Sequence, residues 1–180
     1  MSVKKKIISG LLILVLFISI ILIGYGGYNM HLRNQAFNFA EILENENIDD
    51  LSLTIYYMSP FVIGHFPISI ESFSRLMEDQ DRKIVISGSD LEEFINVFKQ
   101  INNDVLIPVW WSSHLDVRLY YVLESRENGK LLDVAVWTNN RNIVVNGIEV
   151  RANPIFFDVI LPFMPKDVAE QWSIWSSRGE

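Results

Sequence analysis

From Ile7 to Ile23 the chain has no charged residue, and only Ser9, Gly10 and Ser19 interrupt its large apolar side chains. The next charge after Lys6 is Arg33. At 1.5 Å of rise per residue, roughly 20 helical residues cross the ~30 Å hydrocarbon layer of a bilayer, and Ile7 through Gly27 supplies that length. A core helix of a globular domain seldom stays apolar on every side for so long. The run is therefore expected to be a transmembrane helix, in contact with membrane lipid over residues 7–27. Lys4, Lys5 and Lys6 precede it, and positive charge is retained on the cytoplasmic side, so the N-terminus is expected inside and the remainder outside. Tyr25 and Tyr28 then fall at the outer interface. The rival reading is a signal peptide, cleaved to release a secreted protein. Its apolar region is usually about 7 to 15 residues and ends in an A-x-A-like site, for which Gly24-Tyr25-Gly26 offers only small residues around a cut. With no cysteine to acylate, a lipoprotein anchor is excluded.

Removing this segment from a chain of 180 residues leaves enough for one domain with its own core. The expected organisation is residues 1–30 as cytoplasmic lysines and anchor, 31–50 as a juxtamembrane helix and linker, and 51–180 as an extracytoplasmic domain. Residues 31–180 hold twelve basic side chains against 22 acidic ones, a net charge of −10. No Lys/Arg cluster follows residue 6, so nucleic acid is not an expected partner, and anionic lipid or a polyanionic wall polymer is disfavoured. The lack of cysteine also excludes a disulfide framework or a thiol site, and together with the absence of an N-x-[ST] sequon it points to a bacterial exported protein.

Residues 33–46 place Phe37, Ala40, Ile42 and Leu43 loosely on one helical face, with Glu41, Glu44 and Glu46 on the solvated side. Leu51–Met58 is rich in β-branched and aromatic residues and reads as a strand ended by Ser59-Pro60. Pro60 to Pro67 reads as a buried loop or hairpin edge. Ser69 opens a short helix through Glu78, and Lys83–Ser87 is a short strand. Ser89-Asp90-Leu91-Glu92 matches a capping box, and Leu91, Phe94, Ile95, Phe98 and Ile101 continue at helical spacing, the clearest helix signal in the domain. In Leu115–Ser125, Leu115, Val117, Leu119, Tyr121 and Leu123 alternate against Asp116, Arg118, Tyr120, Val122 and Glu124, as in a half-buried strand. A turn at 126–129 leads to a strand over Lys130–Thr138, with Leu132, Val134 and Val136 inward. Asn146-Gly147 joins two further strands, Ile143–Val145 and Ile148–Arg151, through a type I′ hairpin. Asn153-Pro154 starts a helix over Ile155–Phe163, and Pro165 separates it from a last helix whose Val168, Trp172 and Trp175 are expected to dock on the sheet rather than at a membrane interface. The fold class is α+β: an antiparallel meander sheet packed with helices, preceded by one transmembrane helix.

No catalytic signature is present: there is no G-x-S-x-G elbow, Walker loop, G-x-G-x-x-G or H-E-x-x-H. His31, His65 and His114 are too scattered to ligate a metal, and no cofactor is expected. His114 and Asp116, two apart on a strand, could form an orienting pair, but no nucleophile accompanies them. Glu92-Glu93 and Asp49-Asp50 are better explained by helix capping and a solvated turn than by glycoside hydrolysis. With Ser125 paired to Lys130, Arg118 faces Trp137, Tyr120 faces Ala135 and Val122 faces Asp133. Arg118, Tyr120, Asp133 and Trp137, with Trp110, Trp111 and His114 nearby, then form a face with the Tyr/Trp/Arg character of interaction hot spots, including an Arg–indole cation–π pair. The alternative is that a helix covers this face and its aromatics are core.

The strings LTIYYM, KIVISGSDLEEF, INNDVLIPV, RLYYVLES, GKLLDVAVW and VNGIEV resemble small exported or membrane-anchored domains of unknown function from Gram-positive bacteria, over about residues 50–163. That resemblance implies location and fold class and brings no catalytic residue. Three functional classes stand: a membrane-anchored module that binds a protein or cell-envelope partner through the sheet face, an envelope hydrolase using carboxylate or His-Asp chemistry, and an immunity or regulatory protein acting on a membrane neighbour. The first is the leading expectation.

Overall fold

The computed structural model describes residues 3–62, 66–102, 104–109, 116–137 and 142–177, and in its first helix it describes the side chains of 12–26 and from Phe39 onward. The chain divides into two compact units, Met1–Gln35 and Ala36–Glu180. Helix α1 (Val3–Asn45) contains the apolar run, whose large side chains between Leu12 and Ile23 are 47–74% exposed. Among the described residues no helix is long and apolar enough to cross a membrane. The described side chains of the run stop at Leu12 and Gly26, inside the Ile7–Gly27 span expected from the sequence.

Among the described residues the second unit is α+β, built on six antiparallel strands: β1 (Leu51–Tyr57), β2 (Lys83–Ser87), β3 (Val117–Ser125), β4 (Gly129–Trp137), β5 (Asn142–Val145) and β6 (Ile148–Arg151). Their spatial order is β2-β1-β3-β4-β5-β6. The last four form the expected meander. Asn146 (φ 48) and Gly147 (φ 80) both adopt the left-handed conformation that a type I′ turn demands. β1 is an interior strand beside the edge strand β2, its odd-numbered residues turning their backbone hydrogen bonds to β2 and its even-numbered ones to β3.

Alternation places Leu53, Ile55, Leu119, Tyr121, Leu123, Leu132, Val134, Val136, Ile143 and Val145 on one face, all essentially buried. That face is covered by the end of α1 (Phe39, Leu43), by α3 (Ile95–Phe98), by α4 (Ile155–Asp158) and by α5 (Lys166–Ser177). Trp172 and Trp175 dock there as expected, packing edge-on at 5.1 Å and against Phe157, and the Trp172 indole donates to the Met58 carbonyl at 3.0 Å. The opposite face carries a smaller cluster, in which Phe73 and Met77 of α2 (Ile70–Asp79) pack on Met58, Val117 and Ala135.

Several local expectations are corrected. The capping-box segment is not one helix: a 3₁₀ turn over Gly88–Leu91 and a single α-turn, Ile95–Phe98, replace it. Burial of Leu91, Ile95, Phe98 and Ile101 satisfies the apolar spacing without continuous helix, and the β-branched Ile95 and Val97 give helix little support. Pro162 divides the expected 155–163 helix into α4 and a 3₁₀ turn, Leu161–Phe163. The Pro60–Pro67 loop is not buried among its described residues beyond Pro60: Phe61 and Val62 are exposed and Phe66 is 81% exposed. Glu46 does not belong to a solvated face, because its carboxylate accepts from the Ser125 hydroxyl and the Asn128 amide, tying α1 to the β3–β4 turn.

Candidate functional site

The middle of the β3–β4 ladder has the expected register, with Tyr120 opposite Ala135 and Val122 opposite Asp133. Two β-bulges shift it at the ends. Val117, rather than Arg118, stands opposite Trp137, and Ser125 pairs with Gly129. The bulge at Arg118 rotates Val117 away from the main core and under α2, against its expected place beside Leu119.

Arg118 is therefore not part of an open patch. It is 1% exposed, and its guanidinium is spent on backbone and carboxylate partners. Nη2 meets Asp116 Oδ2 at 2.7 Å, Nη1 donates to the Val117 carbonyl at 3.2 Å, and Nε donates to the Val62 carbonyl at 3.3 Å. The other oxygen of Asp116 accepts from the Ile68 amide at 3.2 Å, and the Val117 amide donates to the Ile68 carbonyl. The Arg118–Asp116 pair thus clips both ends of the 59–69 loop to the start of β3. Each Asp116 oxygen thus has a partner, and His114, the other member of the expected orienting pair, lies outside the described residues. Trp137 is likewise 1% exposed, and among the described residues its Nε1 has no hydrogen-bond partner. At this end α2 packs on Val117 and Ala135, the Val62 carbonyl of the loop meets Arg118, and Trp137 is buried. Trp110, Trp111 and His114 lie outside the described residues, as does His65, and the side chain of His31 lies outside them too.

The rest of the face forms a row across four strands. Lys83 on β2 pairs with Glu78 at 2.7 Å and sits 5.6 Å over the ring of Tyr56 on β1. Tyr56 stacks on Tyr120 of β3 with ring centres 6.1 Å apart, and the Tyr120 hydroxyl lies 3.5 Å from Asp133 Oδ2 on β4. Lys130 meets the same oxygen at 2.8 Å. Asn146, from the type I′ turn, holds Asp133 by accepting its amide proton at 2.7 Å while donating to the Leu131 carbonyl. Asp133 Oδ1 is buried and has no partner among the described residues. Burial, and then the negative charge of Asp133, raises the Tyr120 pKa far above that of an ordinary phenol, so its proton stays in place. Burial alone raises that of Tyr121, whose hydroxyl donates to the Phe156 carbonyl at 2.9 Å.

This arrangement offers flat ring surface, two ammonium groups and a held carboxylate. Among the described residues no group of His, Cys, Asp or Glu is placed to hold a metal ion. Tyr120 and Asp133 were legible from alternation. Tyr56 and Lys83 were not, because the neighbours of β1 depend on a long-range pairing that no local pattern encodes. Comparisons with protein-family models, curated proteins and solved structures find no match to this chain.

Proposed function

We propose that the chain is a single-pass membrane-anchored module, its acidic domain outside the cytoplasm, where it binds a protein or another cell-envelope component. The observation that carries this reading is the apolar run of α1. From Leu12 to Ile23 it presents large aliphatic and aromatic side chains on every side, with exposures that a water-soluble helix would bury. Lys4 to Lys6 before the run set its direction under the positive-inside rule. For the binding surface, support comes from the Tyr56, Lys83, Tyr120, Lys130 and Asp133 row. It combines aromatic area at low conformational cost with charges at its margins. Arg118 and Trp137, both buried, are not part of this surface.

Two experiments test the two halves. Alkaline carbonate extraction should leave the full chain in the membrane pellet, and protease added to intact cells should digest the domain; release into the supernatant or protection from protease overturns the tether or its direction. Crosslinking in the native membrane should capture a partner that the double variant Tyr56→Ala, Lys130→Glu captures at least about tenfold less, the scale expected when an interface anchor is lost. Equal capture by the variant rejects this surface.

A further inference from the structure

The two edges of the sheet are treated differently. Beside β6, the chain's own segment covers the edge: Pro108 bridges to Val150, the Val109 amide donates to the Glu149 carbonyl, and the Arg151 amide donates to the Ile107 carbonyl. Beside β2, no strand or segment of the described residues does this. The Tyr57 amide bonds the Arg82 carbonyl, which sets the alternation: Arg82, Ile84 and Ile86 turn their backbone groups to β1, whereas Lys83, Val85 and Ser87 turn theirs outward. The usual protections of an open edge are a proline, an inward charge, a bulge or a cover. Among the described residues β2 has no proline, bulge or cover; it is short, and its one charge, Lys83, is held by Glu78 over the Tyr56 ring. Instead it exposes Val85, at 57%.

The strand's pattern is self-complementary. Lys83-Ile84-Val85-Ile86-Ser87 reads polar, Ile, Val, Ile, polar from either end. We infer that β2 is the contact between two copies of this chain, paired antiparallel about a two-fold axis at Val85 to give one continuous twelve-stranded sheet. In that register Val85 meets Val85, Lys83 meets Ser87, and Ile84 lies beside Ile86 on the core side, where both are half-buried. Arg82 falls opposite Gly88 and Asp81 opposite Ser89, so no like charges oppose each other. The exposed Arg82, which has no ion pair among the described residues, is brought toward the acidic stretch that starts at Asp90 in the other copy. The outward groups of the three residues supply about six hydrogen bonds across the axis. A foreign peptide would match the edge hydrogen bonds equally well but not this palindrome.

The test uses the full chain in detergent. It has no cysteine, so Val85→Cys provides the sole thiol, and Ile174→Cys on α5, 51% exposed, is the control for random collision. Antiparallel partners sit about 5.5 Å apart at Cα, within disulfide reach, so oxidation should link Val85→Cys at least about tenfold faster than Ile174→Cys. Equal rates overturn the proposal. In sedimentation, the wild type should be a dimer, while Val85→Glu and Val85→Lys, which place like charges opposite each other on an exposed position, should each be monomeric. Mixing the two variants should restore the dimer. A monomeric wild type, or a mixture that stays monomeric, overturns the proposal.

Discussion

Arg118 shows what a charged side chain in a strand does once it is buried. Its ion pair with Asp116 is closed from solvent on the arginine side and 21% exposed on the aspartate side. Replacing it by Met should remove the partner of Asp116 Oδ2 and of the Val62 and Val117 carbonyls and lower the unfolding free energy by about 3 kcal/mol, the lower end for a broken buried pair. Urea denaturation measures this. Tyr120 gives a pH prediction. Its pKa is raised in the folded state, so the stability it contributes is present in full below the unfolded value of about 10 and is lost as pH rises beyond it. Tyr121 acts in the same direction. Stability should therefore fall above pH about 10, and Tyr120→Phe should flatten that fall, as read from denaturation midpoints across the alkaline range. Alternation in the sequence identified the strand and the central register. It left open whether Arg118 is exposed or buried, because a bulge leaves no signature in a run of alternating residues and because the loop and α2 at this end of the face are placed by tertiary packing.

Among the elements, the β5–β6 hairpin was the most legible, since Asn146-Gly147 encodes its turn locally. Gly147 has φ 80, and Gly147→Ala should cost about 1 kcal/mol. Asn146→Ala should cost more, about 2 kcal/mol, because the side chain also holds the Asp133 amide and the Leu131 carbonyl. Thermal or urea unfolding of the two variants checks the order. The 88–101 segment was the least legible element. Its apolar spacing marked the buried residues Leu91, Ile95 and Phe98, but spacing alone does not distinguish a helix from a chain of 3₁₀ and α-turns pressed onto the same sheet.

For the whole molecule, the second compact unit runs from Ala36 to Glu180, so residues 36–50 belong to it. Phe39 and Leu43 are 1% and 3% exposed in the main core, and Glu46 holds the β3–β4 turn. Leu43→Ala should cost 2 to 5 kcal/mol, on the order of other leucine truncations in cores. A fragment starting at residue 36 should give cooperative unfolding, whereas one starting at residue 51 should lack it by circular dichroism. The sequence pattern could not reveal this boundary, because Phe39 and Leu43 differ from their exposed neighbours only in what packs on them.

The position of β1 has a consequence in time. Leu51 pairs with Ser125 and Tyr57 with Leu119, so the strand made first waits for one made much later. The meander β3 to β6 closes through short turns, but β1 joins it only after a long loop closes, an entropic cost that slows folding into the millisecond-to-second range typical of non-local sheets. During synthesis, β1 can pair with β2 once the chain has passed Ser87, but its other edge stays open until the chain has passed Ser125, and aggregation competes with folding in that interval.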